Sequence, residues 1–317
     1  MARVSLARAV GLVLGAAADA VFGDPRRCHP VAAFGRAASA LEQLAYRDSK
    51  VAGVLYTGAL TGGAALLGLA VERAGRRHPL IRVVSTAAAT WVVLGGASLA
   101  DEGTAMGRSL GASEIEDARA RLPNLCGRDP KSLDAAGLAR ATVESVAENT
   151  SDAVVAPLLW GAVAGVPGLL VYRAANTLDA MVGHRSPRYA RFGWASARLD
   201  DVLNLVPSRV AAMLTAVSAP VVGGSARGAW QTWRRDASAH PSPNAGQIES
   251  AFAGALEIRL GGRTVYSHGA EERPVLGHGR SPDAGHVTRA VELSRVVGAL
   301  SAAASAVLAT ALGLRKR

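Results

Sequence analysis

Long apolar runs without charged residues are the feature that most constrains what this chain can fold into. A helix needs about 20 apolar residues to cross the hydrocarbon core of a bilayer. Four stretches close to that length have no charged residue: 51–71, 83–100, 153–172 and 296–314. Two more, 202–226 and 9–22, each contain one. The sequence therefore predicts an all-α, multi-pass helical integral membrane protein.

The composition agrees with this prediction. Hydrophobic residues make up 50% of the chain, charged residues only 19%, and the mean hydropathy is +0.20. Soluble domains usually have about a quarter of their residues charged. Aromatic residues are only 4%, whereas glycine occurs 35 times, so close packing of helix backbones through small residues is expected.

The net charge of +10 raises the question of a nucleic-acid partner. The arginines are spread over every polar segment, and no basic stripe with interleaved aromatic residues stands out. We therefore expect no nucleic-acid binding. We expect most of the positive charge to lie in loops beside the anionic bilayer, and some of it to bind substrates that carry phosphate. Cys28 and Cys126 lack metal-ligand or redox spacing, so no disulfide or zinc framework is expected.

The polar segments lie between the apolar blocks. We predict one membrane domain over residues 1–317, with two polar, partly helical insertions at about 101–152 and 225–292. Asp134 is placed to cap a helix over 135–148. The first block resembles a signal peptide, but it runs directly into Gly23-Asp24-Pro25, so an uncleaved first helix is the preferred interpretation.

Two of the apolar blocks are imperfect membrane spans. The block 153–172 contains two prolines and three glycines, and the stretch after Asp201 contains Pro207, Arg209 and Pro220. Each is either an ordinary kinked span or a discontinuous, re-entrant helix that lines a cavity. Both interpretations stay open from the sequence.

Carboxylates cluster around the block 153–172. Glu144, Glu148 and Asp152 are spaced four apart, so a continuous helix would place all three on one face. Alternatively, residues 149–151 end that helix, and Thr150, Ser151 or Asp152 caps the next one.

Two further polar sets follow the block. Arg173, Asn176, Asp179 and Gly183 share one helical face by their spacing, and Asp200 lies one turn before Asn204. Hard oxygen ligands suit Mg²⁺, and arginines suit phosphate. The alternative is that these groups form solvated faces with arginines that reach the membrane surface. A P-loop, H-E-x-x-H and a Ser-His-Asp order are all absent.

Several motifs coincide in one order along the chain. They are DAVFGDP at 19–25 with HPV at 29–31, ENTSD at 148–152 with AP at 156–157, YR at 172–173 with NTLD at 176–179 and MVG at 181–183, FG at 192–193 with ARLDD at 197–201, and HPSPNAG at 240–246 with AGAL at 253–256. This series resembles the CobD/CbiB family of cobalamin biosynthesis proteins over nearly the whole chain.

The resemblance implies adenosylcobinamide-phosphate synthase activity. In that reaction a carboxyl of adenosylcobyric acid is joined to the amine of (R)-1-amino-2-propanol phosphate, with ATP and Mg²⁺. It also implies a multi-pass protein of the plasma membrane with a cytosolic active face, and association with other enzymes of corrinoid assembly is a further expectation.

Site residues are carried over from the same resemblance. The catalytic set is Asp24, His29, Glu148, Asp152, Asp179, Asp200 and Asp201, of which Asp152, Asp179, Asp200 and Asp201 are the expected metal ligands. Asp24 and His29 would offer a base for the amine. Phosphate binding is assigned to Arg173, Arg198 and Arg209, and hydrogen bonds that orient the substrates to Asn176, Asn204 and Asn244.

Two other function classes remain as alternatives. One is another Mg²⁺-dependent membrane transferase, of the prenyl or CDP-alcohol type, although such enzymes carry D-x-x-x-D patterns on two helices and this chain has one adjacent pair, Asp200-Asp201. The other is a membrane sensor or transporter, which would need no clustered carboxylates.

Overall fold

The structure is a computed structural model that describes residues 2–25, 29–76, 78–184, 186–266 and 269–314, without the side chains of residues 2–4 and 264–271. Cys28 lies outside the described residues. The chain is 81% helical, and its described residues contain six helical segments that are long and apolar enough to cross a membrane. The predicted all-α, multi-pass class is therefore confirmed. The backbone forms two compact units, and the single membrane domain with two insertions stays a prediction.

The first unit consists of residues 1–95, 156–204 and 301–317. Its helices are α1 (Ala2–Phe22), α2 (Pro30–Ala45), α3 (Lys50–Ala74), α4 (Pro79–Val93), α8 (Ala156–Leu178) and α9 (Tyr189–Phe192), with the start of α10 (Trp194–Ser218) and the end of α13 (Ala284–Leu314). Helix α1 packs along α4, and α8 packs against α3 and α4. A Cβ at Gly11 of α1 would lie 2.6 Å from Thr86 Cβ, so the two helices approach closely because of small residues.

Helix α8 is a hairpin of two short helices and not one rod. Its backbone leaves the helical region at Gly165, where φ is +69° and ψ is −148°. The carbonyl of Trp160 lies against Gly168, and the Leu169 side chain lies against Gly161. Residues eight apart in a continuous helix would be about 12 Å apart along the axis, so the chain must turn back on itself. The discontinuous form predicted as one alternative for this block is confirmed.

Two charged side chains hold the tip of the hairpin. Arg8 of α1 donates to the carbonyls of Ala162 and Val163, each at 3.3 Å, which end the first arm. Glu72 of α3 accepts from the backbone N–H of Val166, which begins the second arm, and pairs with Arg8 at 3.3 Å. A cation therefore satisfies the helix C-terminus and an anion the N-terminus, as the helix dipoles favour.

The second unit consists of residues 96–155 and 205–300. It contains α5 (Gly96–Gly111), α6 (Ile115–Arg121), α7 (Ala135–Thr150), α11 (Ala226–Asp236) and α12 (Ala245–Leu256), the rest of α10 and α13, and an antiparallel hairpin of β1 (Leu260–Tyr266) and β2 (Gly269–Leu276). Its core is formed by aliphatic residues of α5, α7, α12 and α13. The predicted cap is confirmed, because Asp134 accepts from the N–H of Gly137. The hairpin was not predicted.

Two predicted blocks lie in segments that are long and apolar enough to cross a membrane, but their backbone is irregular. The segment Pro79–Gly111 contains the block 83–100, and within it α4 ends at Val93 and Leu94 is extended, with a ψ of 162°. The segment Trp194–Val222 covers most of the block 202–226, and α10 is followed there by a 3₁₀ turn, Ala219–Val222. The alternative of a cap at residues 150–152 is wrong, because α7 continues through a π-helical turn (Ser151–Val155) into α8.

Helix α10 passes through Pro207 without a break, so the discontinuous alternative for this stretch is also wrong. Proline lacks the N–H that would bond the carbonyl four residues earlier. That carbonyl belongs to Leu203, and it accepts instead from Trp160 Nε1 at 3.0 Å. A side chain of α8 therefore supplies the missing donor.

Candidate active site

In the first unit, a hydrogen-bonded chain joins the second arm of α8 to the start of α10. The Tyr172 hydroxyl donates to Asn204 Oδ1 at 2.9 Å, and Asn204 Nδ2 donates to Asp200 Oδ2 at 3.0 Å. Asn176 Nδ2 donates to the other carboxylate oxygen of Asp200 at 3.3 Å. Three predicted residues, Asn176, Asp200 and Asn204, therefore meet at one place. Tyr172 belongs to the YR motif at 172–173, but the sequence did not assign it to the site.

This network fixes the position of the Asp200 carboxyl group. Asp200 is 9% exposed, and Tyr172 and Asn204 are almost fully buried. Both carboxylate oxygens accept from amide groups. The side chain is thus held in one orientation before any ligand arrives, which is the arrangement that a metal ligand or phosphate-positioning group needs.

Arg198 and Asp201 lie apart from this network, on the exposed side of α10. Arg198 Nη1 pairs with Asp201 Oδ2 at 3.0 Å, and their side chains are 58% and 30% exposed. Adjacent residues on a helix point about 100° apart, so the side chains of Asp200 and Asp201 face different surroundings. Arg198, an expected phosphate ligand, and Asp201, an expected metal ligand, therefore form an ion pair with each other.

Two of the predicted acidic residues lie in π-helical turns. Asp152 is in the turn Ser151–Val155, and Asp179 begins the turn Asp179–Gly183. The Asp179 carboxylate lies directly against Gly183, where a Cβ would overlap it. The extra residue in such a turn changes the direction of every following side chain, and π-turns are frequent at functional sites. Asp152 is therefore out of phase with the face that carries Glu144 and Glu148.

Asp24 and His29 come together at the start of α2. His29 Nδ1 accepts from the N–H of Val31 at 3.2 Å, and its Nε2 lies 3.8 Å from Asp24 Oδ1. The residues that follow His29 line a mostly apolar pocket of about 320 Å³ between α2, α3, α4 and α8. Arg173 and Thr177 are also among the residues that line it.

In the second unit, Asn244 and Arg209 meet through Ser208. The Ser208 hydroxyl lies 3.3 Å from Asn244 Oδ1, and Arg209 Nη1 lies 3.4 Å from the same hydroxyl. Arg209 also donates to the carbonyl of Leu205 at 2.7 Å. Arg209 therefore lies beside Ser208 in the half of α10 after Asn204, and Asn244, at the start of α12, contacts the same serine.

The second unit also brings together a group of charged residues, which we call the charge cluster. Arg128, Glu144, His240 and Glu249 are buried, whereas Arg273 is half-buried and Glu148 is exposed. Glu144 is 2% exposed and accepts from Arg128 and, at 2.6 Å, from the N–H of Gly261. Arg140, one turn earlier on α7, donates to the carbonyls of Gly261 and Arg263. Helix α7 thus holds the base of the β-hairpin through two charged side chains.

His240 and Glu249 face each other within the cluster. His240 Nε2 lies 3.8 Å from Glu249 Oε2, and both side chains are more than nine-tenths buried. Burial, with the negative charges of Glu144 and Glu148, raises the pKa of Glu249 well above its usual range, against the opposing charges of Arg273 and Arg128. Burial and the nearby Arg273 lower the pKa of His240. Both shifts favour the neutral form of the side chain.

Comparison with known proteins gives the family. The profile of CobD/CbiB proteins matches residues 12–294. A cobalamin biosynthesis protein CobD of Mycobacterium tuberculosis is 58% identical over 311 residues, 98% of this chain and 97% of that protein. Proteins of the same name from Chromobacterium violaceum and Geobacter metallireducens are 42% and 43% identical, over 87% and 83% of this chain and 88% and 85% of theirs. The chain belongs to the CobD/CbiB family. No solved structure matches it.

The acidic residues of this CobD/CbiB protein offer few ligands for a divalent cation. Among the described residues, no group of three or more His, Cys, Asp or Glu side chains converges at metal-binding distance. Mg²⁺ bound together with substrate phosphates needs only one or two carboxylates and keeps several waters. Asp200, fixed by two amides, fits that requirement.

The sequence did not identify the two arginines of the charge cluster, Arg128 and Arg273, as candidate functional residues of this CobD/CbiB protein. Arg128 lies in a turn-rich segment and Arg273 in an unpredicted strand, so their types and spacing give no signal. His240 begins the motif at 240–246, and Glu249 lies between that motif and the one at 253–256. The fixed four-residue spacing of Arg140, Glu144 and Glu148 is the signal that could have pointed to a charged face of α7.

Proposed function

We propose that this protein is an adenosylcobinamide-phosphate synthase, which joins adenosylcobyric acid to (R)-1-amino-2-propanol phosphate in an ATP-dependent reaction. Family membership supports a role in cobalamin biosynthesis. The observation that carries the finer proposal is the network in which Asn176 and Asn204 fix both oxygens of the buried Asp200.

The chemistry needs an activated carboxyl group, because a carboxylate is a poor acyl donor. In the proposed reaction the carboxylate takes the γ-phosphoryl group of ATP, giving an acyl phosphate and ADP. The amine then attacks the acyl carbon, and inorganic phosphate leaves as the amide forms. Phosphoryl transfer depends mainly on positioning and on stabilising charge.

The side chains are assigned to that reaction as follows. Asp200, with Asp152, Asp179 and Asp201 as further candidates, would hold Mg²⁺, which supplies neutralisation of phosphate charge when bound. Arg173 is among the residues that line the 320 Å³ pocket and is the proposed phosphate partner there. Asp24 and His29, with Nε2 and Oδ1 3.8 Å apart, are the proposed base pair.

The proposed location is the plasma membrane, with the active face in the cytosol, where ATP is found. The lipid bilayer and the two substrates are the proposed partners, together with other enzymes of corrinoid assembly. These proposals follow from the six apolar helical segments and from the family's pathway.

The deciding experiment uses the purified full-length protein with ATP, Mg²⁺, adenosylcobyric acid and aminopropanol phosphate. We expect the amide product by mass spectrometry, and ADP release only when both substrates are present. A prenyl or CDP-alcohol transferase, a sensor or a transporter would give neither result. ADP release that does not depend on the amine would also contradict the proposal.

Two substitutions test the network. Asp200→Asn keeps the volume but removes the anionic oxygens, so kcat should fall about 100-fold or more. Tyr172→Phe removes one hydrogen bond from Asn204 and should cost less, about tenfold. The control is Asp48→Asn, an exposed carboxylate 3.8 Å from Arg191, which should keep full activity. Folded Asp200→Asn protein with full activity would remove Asp200 from the site.

A further inference from the structure

Helix α11 of the second unit packs through one face against α12. Ala229 on that face is fully buried. A Cβ at Gly228 would lie 2.6 Å from the carbonyl oxygen of Gly254, so the two helix backbones approach closely. Trp233 Nε1 also donates to Gln247 of α12 at 2.8 Å. These contacts fix the rotation of α11 about its axis, and its opposite face points away from α12.

That opposite face carries an aromatic side chain between two cations. Arg227, Trp230 and Arg234 are three and four residues apart, so they form one row along the helix, which we call the α11 stripe. Both arginines are exposed, and Trp230 is 47% exposed. Neither arginine forms an ion pair with a described residue, whereas Arg235 is paired with Asp236 at 2.6 Å. The stripe therefore presents two uncompensated charges beside an exposed indole ring.

The chain itself places the start of α11 close to the end of a membrane span. The apolar segment Trp194–Val222 is long enough to cross a bilayer, and only residues 223–225 separate it from Ala226, where α11 begins. A chain extends at most about 3.6 Å per residue, so the helix starts within about 15 Å of the end of that segment. Val217 and Val221, near this end, are 65% and 69% exposed, as expected for side chains that contact lipid.

Arg289 indicates where the hydrocarbon core stops. Its guanidinium donates to the carbonyls of Val222 and Gly223, each at 3.0 Å. The last carbonyls of a helical segment lack partners within the segment, and a cation satisfies them here. A guanidinium is costly inside the hydrocarbon core and is favourable beside headgroups and water. The end of the segment, and with it the start of α11, therefore lies at the membrane surface.

We propose that the α11 stripe binds the headgroups of anionic phospholipids at the membrane surface. Arg227 and Arg234 contact the phosphates, and Trp230 lies among the glycerol groups and upper acyl chains. Guanidinium groups suit phosphate oxygens, and tryptophan is enriched at the membrane–water interface because its ring is apolar and its N–H polar. This proposal goes beyond the synthase activity and does not depend on it.

The surface beside the stripe has room for a headgroup. An open groove of about 640 Å³ is lined by Trp230, Gln231, Arg234 and Arg235. The indole forms an apolar wall of this groove, and Arg234 adds a charge that no described residue neutralises. A single groove thus presents both kinds of surface that a phospholipid headgroup and its glycerol need.

A lipid surface fits the stripe better than a protein partner does. Helix α11 has 11 residues, so it is about 16 Å long and about 10 Å wide. A stable protein interface covers about 800 Å² on each partner, and charged residues are depleted at its centre. The stripe is much smaller and has a charge on each side of its aromatic ring. Adjacent cations and an interfacial tryptophan are instead typical of helices that lie on anionic membranes.

The test is fluorescence quenching of the full-length protein in nanodiscs whose lipids carry bromine on the upper acyl chain. Bromine quenches tryptophan on contact. The chain has 5 tryptophans, so the difference between wild type and Trp230→Phe isolates the signal of Trp230. At equal total bromine, we expect that signal to be quenched more by brominated phosphatidylglycerol than by brominated phosphatidylcholine. The ratio of the two gives the preference for anionic lipid.

Two arginine variants test the role of charge. Arg227→Gln and Arg234→Gln should each lower the preference for anionic lipid about two- to fivefold, because each removes one attraction to the anionic surface. Both residues are exposed, so the unfolding temperature should stay unchanged. Lys131→Gln is the control, since Lys131 is an exposed cation of the same unit on the turn Pro130–Ser132. It removes the same charge and should leave the preference as it is.

Three outcomes would overturn the proposal. The first is a Trp230 signal that both lipids quench equally in wild type. The second is an equal loss of preference in Lys131→Gln and in the arginine variants, because net charge and not the stripe would then attract the lipid. The third is a Trp230 that neither brominated lipid nor aqueous acrylamide reaches, which would mean that protein, such as a second copy of the chain, covers the stripe.

Discussion

At the scale of single residues, the ion pair of Arg128 and Glu144 shows how strongly this chain depends on individual buried charges. The side chains are 6% and 2% exposed. Removing one partner of such a pair leaves an uncompensated charge in a poor solvent. The two residues should therefore tolerate change together but not singly.

We predict that Arg128→Leu lowers the free energy of unfolding by about 3–5 kcal/mol. Arg128→Leu with Glu144→Gln should recover most of that loss, because glutamine is neutral and still accepts from the N–H of Gly261. Thermal unfolding in detergent measures both variants. A double variant as unstable as the single one would show that packing, and not charge, sets the cost.

The second residue-scale prediction concerns acid. The Arg235 side chain and the N–H of Gly277 hold the pKa of Asp236 below its usual value. The contribution of Asp236 to stability is thus fully present above about pH 4 and is lost as the pH falls through its lowered folded-state pKa. Asp236→Asn should lower the unfolding temperature at pH 7 and have a smaller effect at about pH 2. An equal effect at both values would contradict this.

Single residues also show where sequence reasoning stops. Asp200 and Asn204 are one turn apart, so any helix brings them together, and the sequence predicted that pair. Arg128 and Glu144 are 16 residues apart with a turn between them, and Glu144 meets Gly261 across 117 residues. Contacts of that kind depend on how distant segments pack, and residue type alone does not encode them.

At the scale of elements, the α8 hairpin depends on one glycine. Gly165 has a φ of +69°, which costs an L-residue about 1–2 kcal/mol, and a Cβ there would overlap Glu72 and lie 2.7 Å from Arg8. The tip of the hairpin therefore has no room for a side chain.

Gly165→Ala should lower the free energy of unfolding by about 2–4 kcal/mol, the sum of backbone strain and displaced Arg8–Glu72 contacts. Gly62→Ala on α3 is the matched control, because a Cβ there meets nothing within 4 Å. It should be neutral or slightly stabilising. Equal unfolding temperatures for wild type and Gly165→Ala would show that the tip is more open than described.

The two proline-containing blocks show that side chains from neighbouring elements decide whether a helix breaks. Both blocks contain prolines and glycines, and the sequence left both open. One is a hairpin, because a glycine with positive φ is stabilised by Arg8 and Glu72 from other helices. The other is continuous, because Trp160 replaces the donor that Pro207 lacks. The partner side chains, and not the prolines, determine the difference.

At the scale of the whole molecule, membrane integration must be distinguished from electrostatic attachment, since a net charge of +10 would also bind anionic lipid. Six apolar helical segments should hold the protein in the bilayer regardless of charge. We expect it to stay in the membrane pellet after a 1 M salt wash and after alkaline carbonate, and to need detergent for extraction. Release by either wash would contradict integration. A myristoyl-type peripheral protein in the same membranes is the control.

The sequence by itself determined the helical class, the apolar segments and the family, because hydropathy and ordered motifs are properties of the chain read along its length. It also gave the pair of Asp200 and Asn204, which one helical turn joins. Only the tertiary structure decided that α8 turns back at Gly165, that α10 continues through Pro207, and that Arg128, Glu144, His240 and Glu249 share one buried place. Each of those depends on a side chain from a distant segment, whose position is set by packing and by the need to satisfy buried polar groups.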